Sequence, residues 1–246
     1  MGQGNVTDDF DRAGNLMDKK TSYGLPVVQL LNSLHIEKNV SRLIAVIRHS
    51  SRHYSETPSA EPFMGLTEEG KISAYRWGKL LPAKMRISFF SSFIGRCIET
   101  AYLVDKGYIT AGGTTFHNII ETSLSPYYVR DAGRFLETCT DLDDFFTSWF
   151  AGKIPPEIID HPRDVAKQMA MFCMERLAPG ATGQSDMDIC VTHDWNLFAA
   201  KEYLLGMNHE IHDTVDYLDG VILFAKNGKC YITSPGNDPR ELVVPG

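Results

Sequence analysis

The feature that most limits the fold is an unbroken apolar run, Leu43-Ile44-Ala45-Val46-Ile47, which stops at Arg48-His49-Ser50-Ser51-Arg52-His53. Consecutive apolar residues without alternation are what a strand buried on both faces requires, so the run points to a parallel sheet with helices on each side. In open sheets of that kind, ligands bind beyond the carboxyl ends of the strands. Here the carboxyl end of the strand delivers two arginines around a histidine.

Similar runs recur along the chain. Residues 87–91, 116–120 and 188–192 are further strand candidates, and helical signals lie between them. Thr67 is placed as an N-cap ahead of Glu68 and Glu69, with Ile72, Tyr75 and Leu80 spaced for one buried face and Pro82 as a stop. Residues 96–106 read as a helix ended by Gly107. Val165, Met169, Phe172, Cys173 and Leu177 repeat at helical spacing, and a helix over about 196–205 follows His193-Asp194. Residues 221–224 and 230–233, joined by Asn227-Gly228, read as a hairpin. Strands alternating with helices predict an α/β protein: three layers, a mostly parallel sheet with helices on both faces.

The expected organisation is an N-terminal arm and short helix over 1–40 that packs on the body, then a single domain over 41–246. Residues 1–22 are polar and read as a loose arm. Residues 122–163 are rich in aromatic and acidic side chains and read as a mostly helical insertion covering one side of the site.

Composition narrows the partners. A net charge of -7 argues against a general nucleic-acid binder. No apolar run is long enough to span a membrane, and the opening residues do not read as a signal peptide. The five cysteines are scattered, odd in number and without a CxxC pair. They read as reduced thiols, and the expected location is the cytoplasm.

Parallel strands would bring Arg48-His49, Glu121 and His193-Asp194 to one sheet edge, with Arg96 a short turn beyond the second strand. Three guanidiniums (Arg48, Arg52, Arg96) in one pocket repel each other without an anion, and their planar forks suit phosphate oxygens. A neutral imidazole there can attack phosphorus in line, and the surrounding cations help keep it neutral. A second imidazole can donate to a nonbridging oxygen, and a carboxylic acid can protonate the leaving oxygen. The arginines supply the charge, so this chemistry requires neither metal nor cofactor. The expected partner is a small phosphorylated substrate.

These residues also form a recognisable series. Arg48-His49-Ser50-Ser51-Arg52 resembles the Arg-His-Gly-x-Arg motif of the histidine phosphatase superfamily, the phosphoglycerate mutase-like and acid phosphatase-like enzymes. Leu66-Thr67-x-x-Gly70 is similar to its helix start. Ser91-Ser92-x-x-x-Arg96-x-x-x-Thr100-Ala101 is similar to its second-arginine motif, and Val191-Thr192-His193-Asp194 to its second-histidine motif. The order agrees from about residue 43 to 225. The resemblance implies a phosphoglycerate mutase-like fold, His49 as the phosphorylated nucleophile, and Arg48, Arg52, Arg96 and His193 as the phosphate pocket. For the proton donor it implies Glu121 if the chain is mutase-like and Asp194 if it is acid phosphatase-like, and the short length favours Glu121. Ser50 departs from the motif's glycine.

The expected function is therefore a metal-independent phosphomonoester hydrolase with a covalent phosphohistidine. The alternatives are a cofactor-dependent phosphomutase of the same fold and a non-catalytic module that binds phosphorylated ligands. Other phosphatase chemistries are excluded by pattern. No cysteine is followed six positions later by arginine, and no P-loop exists. Asp141-x-Asp143 and Asp186-x-Asp188 do not follow apolar strands. His53 is expected in the loop at the mouth of the site, His117 on a sheet face, and His209 with His212 in a solvated loop. Arg130 and Arg134 are candidates for a second anionic group, and Cys97 is expected to be a small buried residue.

Overall fold

Along the first strand the apolar run serves two cores at once. Leu43, Ala45 and Ile47 face one cluster of buried side chains, while Ile44 and Val46 face another on the opposite side of the sheet. That alternation is the period of two of a β-strand. It explains why the run has no polar gaps. The structure, a computed structural model, describes residues 23–37, 39–141, 144–178, 185–211 and 214–245.

The strands are β1 (Val40–Arg48), β2 (Arg86–Ser91), β3 (Thr114–Ile120), β4 (Met187–Thr192), β5 (Gly220–Lys226), β6 (Lys229–Thr233) and β7 (Arg240–Glu241). They form one sheet in the order β3-β2-β4-β1-β5-β6-β7. The first four are mutually parallel, and β5 to β7 add antiparallel strands beyond β1. The hairpin between β5 and β6 turns at Asn227 and Gly228, both at positive φ (53° and 77°), as a tight primed turn demands.

The helices are α1 (Leu25–His35), α2 (Glu68–Lys79), α3 (Gly95–Thr110), α4 (Ala132–Asp141), α5 (Phe145–Phe150), α6 (Pro162–Leu177) and α7 (Asp194–Leu205). Val27 and Leu31 of α1, Trp77 of α2 and Val104 of α3 fill the core on one sheet face. Trp149 of α5, Met169 of α6 and Leu197 of α7 fill the core on the other. The arrangement is the expected three-layer, mostly parallel α/β sheet. Among the described residues, no helix is long and apolar enough to cross a membrane.

Some local expectations need correction. Gly107 does not end α3. It lies inside the helix, where a Cβ would come within 1.9 Å of the Tyr75 carbonyl oxygen, so it permits α2 and α3 to cross at close range. On α2 the buried face is carried by Ala74, Tyr75 and Trp77, while Leu80 is exposed. Thr67 caps α2 as expected, accepting from the Gly70 N–H at 3.0 Å. The rings of residues 122–163 largely build the core. Tyr128 stacks on Trp149, and Phe145 stacks on Trp195 at 5.4 Å.

Candidate active site

In the paired strands β1 and β4, Arg48 stands opposite Thr192, so the next residues, His49 and His193, leave the sheet at the same edge. Their ring centres are 5.6 Å apart with the planes inclined at 68°. Next to β4, β2 ends at Ser91, and a short turn places Arg96 in the first turn of α3. Parallel pairing is thus what gathers these residues.

His49 is buried, and two contacts fix its tautomer. Its Nδ1 lies 2.8 Å from the Ser50 carbonyl oxygen, which can only accept, so Nδ1 carries the proton. Nε2 is left with its lone pair, and it accepts from Arg96 Nε at 3.1 Å. Burial first, then His193 and the guanidiniums of Arg96 and Arg48, hold the His49 imidazole well below its usual pKa. His193 is also buried, and its Nε2 shares a hydrogen bond of 2.9 Å with Ser92 Oγ. Burial, reinforced by Arg96, Arg48 and Arg52, brings its pKa down to about 3. Both imidazoles are therefore neutral at ordinary pH.

The arginines surround them. Arg48 Nη2 pairs with Asp194 at 2.7 Å, Nη1 donates to the Val215 carbonyl at 2.6 Å, and the guanidinium lies over the Tyr217 ring. Arg52 pairs with Glu61 and lies over the Tyr54 ring. Arg96 Nη1 donates to the Glu61 carbonyl at 3.1 Å. The Nε–H groups of Arg48 and Arg52 are buried and have no hydrogen-bond partner among the described residues. Guanidinium donors without partners are groups that an oxyanion can satisfy.

Comparison with solved structures gives a consistent picture. The chain is similar to phosphoglycerate mutase from Bacillus anthracis str. Sterne, at 15% identity and a TM-score of 0.56, over 81% of this chain and 95% of the mutase. The chain has the phosphoglycerate mutase-like fold. It is also similar to a mycobacterial glucosyl-3-phosphoglycerate phosphatase in complex with VO3, at 17% identity and a TM-score of 0.51, over 74% of this chain and 90% of that one. For phosphoserine phosphatase from Entamoeba histolytica in complex with 3-phosphoglyceric acid the values are 15% and 0.51, over 80% and 98%. No protein-family model and no curated protein matches the chain. The resemblance to phosphoglycerate mutase-like histidine phosphatases thus holds at the level of the fold.

Within this phosphoglycerate mutase-like fold the two carboxylates of the sequence reading part company. Asp194 is the first residue of α7, and its Oδ2 meets Arg48 in the pocket. Glu121 is held locally. Its Oε1 accepts from both Ser123 N and Ser123 Oγ, at 2.9 and 2.8 Å, capping the 3₁₀ turn Thr122–Leu124. It lines a separate cavity of about 690 Å³ with Arg130, Asp160 and Lys167. Asp194 thus pairs with a pocket arginine, while Glu121 Oε1 is held by Ser123 on its own loop.

Ser50, the departure from the motif, is directed away from the pocket. Its Oγ donates to the Gly70 carbonyl at 2.7 Å, and its N–H donates to Thr100 Oγ1 at 3.1 Å. Gly70 is needed there, since a Cβ would lie 2.0 Å from the Ser51 carbonyl oxygen.

The remaining candidates have other surroundings. Arg130 pairs with Asp160 at 2.7 Å. Asp186 pairs with Arg86, and buried Asp188 pairs with Arg42 and Arg176. His209 pairs with Glu202 and stacks on Phe150. His53 is exposed, and His117 lies within β3. His212 and Asp143 lie outside the described residues. Cys97 is buried, and burial pushes its thiol up to about 12, which favours the protonated form.

Sequence reasoning missed Glu61, Tyr54 and Tyr217. The Tyr54 and Tyr217 hydroxyls are 2.6 Å apart, and the Tyr217 ring lies 6.1 Å from His49. Nothing in a single sequence separates these residues from other polar and aromatic loop residues.

Proposed function

We propose that the protein is a phosphomonoester hydrolase acting through a phosphohistidine at His49, with arginines supplying the positive charge. The observation that carries this reading is the fixed tautomer of His49. Its Nδ1–H is held by Ser50, and its Nε2 lone pair is directed into a pocket of three arginines and a second neutral histidine.

In the first half of the reaction, Arg96 leaves Nε2 for the arriving phosphoryl oxygens. His49 Nε2 then attacks phosphorus, a P–N bond forms and the bond to the leaving oxygen breaks. Arg48, Arg52, Arg96 and His193 hold the equatorial oxygens as charge develops on them. Asp194 is the proton donor to the leaving oxygen. A phosphoryl dianion that takes Arg48 releases Asp194 from its ion pair. In the second half, Asp194 as carboxylate takes a proton from water. The water oxygen attacks phosphorus, the P–N bond breaks, and inorganic phosphate leaves with His49 neutral again.

The likeness to solved phosphatases supports this reading at the level of the fold. The five unpaired cysteines favour a reducing compartment such as the cytoplasm.

The test is release of inorganic phosphate from an aryl phosphate in the presence of a chelator, wild type beside His49→Ala. Turnover that disappears with His49, together with an acid-labile phosphorylated protein in the wild type, is the expected result. Turnover persisting in a folded His49→Ala protein would overturn the assignment. Product isomerisation without phosphate release would redirect the reading to a phosphomutase.

A further inference from the structure

The pocket described above is not empty of anions, because the protein supplies one of its own. The 3₁₀ turn Pro58–Phe63 has no buried side chain, and its Phe63 is 83% exposed. One residue of that turn is directed inward. The Glu61 carboxylate pairs with Arg52, its Oε1 accepts from the Ser55 N–H at 2.6 Å, and its backbone carbonyl accepts from Arg96. A single residue thereby engages two of the three pocket arginines. Beside it, Tyr54 lies over Arg52 and its hydroxyl meets that of Tyr217, which lies over Arg48. The turn reaches the site through Arg52 and Arg96, and the Tyr217 ring lies 6.1 Å from His49.

We propose that Glu61 is a specificity-determining residue, an internal competitor that holds Arg52 until a phosphoryl group displaces it. The inference rests on the anion-pocket reading above. Glu61 holds Arg52 through Oε2 on Nη1 alone and leaves the Nε–H unpaired, so a phosphoryl group that takes both edges of the guanidinium displaces the carboxylate. A phosphoryl dianion near Glu61 also faces like charge, which makes exchange, not addition, the route of binding. Exchange selects by charge. A dianionic phosphomonoester interacts with Arg48, Arg52 and Arg96 more strongly than the monoanionic Glu61 carboxylate, whereas a phosphodiester or sulfate ester carries only one charge. Release of Glu61 frees the turn and, through Arg52, the tyrosine pair, so the same event opens the site.

An internal competitor reduces apparent affinity by the fraction of molecules in which the site is free. Losing one charge-assisted pair is expected to change that fraction about ten- to hundredfold. The test is calorimetric titration with inorganic phosphate of the wild type, Glu61→Gln and Glu61→Ala, each checked for an unchanged melting profile. Glu61→Gln keeps the shape of the side chain and removes the charge. Both variants are expected to bind phosphate at least tenfold more tightly, and the KM for an aryl phosphate is expected to fall in parallel. Equal or weaker phosphate binding in both variants would show that Glu61 positions Arg52 instead, and the proposal would be wrong. Turnover separates this outcome from failure of the hydrolase reading. Tighter phosphate binding without turnover in any protein leaves Glu61 a competitor and removes the catalytic assignment. Turnover with no gain in phosphate affinity does the reverse.

Discussion

Keeping His193 neutral has a measurable cost in acid. An ordinary histidine titrates at 6.5, whereas burial and the three arginines hold His193 at about 3. Between those values the unfolded chain binds a proton that the folded one refuses. Stability therefore rises with pH across that window and is lost progressively as pH falls from 6.5 toward 3. At pH 7 the effect is close to zero. At pH 5 it has cost about 2 kcal/mol, and below pH 3 it levels off near 5 kcal/mol. His49 adds to the loss in the same direction, because burial and its cationic neighbours lower its pKa too. The perturbation is His193→Gln, read by urea unfolding at pH 7 and pH 5. Each protein is compared with itself, so any constant effect of the substitution cancels. The wild type is expected to lose about 2 kcal/mol more than the variant between the two pH values. An equal loss in both proteins would refute the reasoning, since it would mean that His193 accepts its proton in the folded state as readily as in the unfolded one.

Other substitutions address the site and its support. Asp194→Asn is expected to lower kcat for alkyl phosphates by about 10²–10⁴, the usual contribution of general acid catalysis, and by less for an activated aryl phosphate. Glu121→Gln is expected to leave phosphate release close to wild type in the same assay, because its carboxylate serves Ser123. Gly70→Ala would set a Cβ 2.0 Å from the Ser51 carbonyl. Overpacking of this kind costs about 1–3 kcal/mol, visible in thermal melts, and should also weaken phosphate binding by shifting Arg52. Asp188→Ala would leave Arg42 and Arg176 facing each other without their buried carboxylate. A loss of about 3–5 kcal/mol is expected by denaturant titration.

The strands and the pocket arginines were readable because their signals are local. An uninterrupted apolar run can be buried only between two layers, and β1 shows both layers taking alternate residues. Thr67 two residues ahead of Glu69 marks a helix start whatever surrounds it. Gly107 was misread for the complementary reason. A glycine late in a helical segment is a stop signal locally, yet here it is the point where the Tyr75 carbonyl of another helix approaches. Leu80 was assigned to a buried face by spacing, while the chain turns at the helix end and leaves it in solvent. Glu61 was beyond reach, since its partners Arg52 and Arg96 depend on how the turn Pro58–Phe63 folds back toward the sheet edge.

The choice between Glu121 and Asp194 shows the same division more sharply. Both follow an apolar strand that ends at the same edge, so spacing alone ranks them equally. What separates them is where each carboxylate finds donors. Glu121 is followed two residues later by Ser123, whose N–H and hydroxyl both reach Oε1 without any help from the rest of the fold. A side chain satisfied so close to home is turned along its own loop. Asp194 receives only the neighbouring Trp195 N–H at its Oδ1, which leaves Oδ2 for a partner from elsewhere. Strand order supplies that partner. β4 lies directly beside β1, so Arg48 stands within reach, whereas β3 is at the outer edge beyond β2. A carboxylate with an unmet local demand, on the strand next to the nucleophile's, is drawn into the pocket by the same arginine that the phosphoryl group must later take. On the proposed mechanism, Asp194 is the carboxylate set to serve the leaving oxygen, and the ion pair with Arg48 is the contact that the phosphoryl group exchanges.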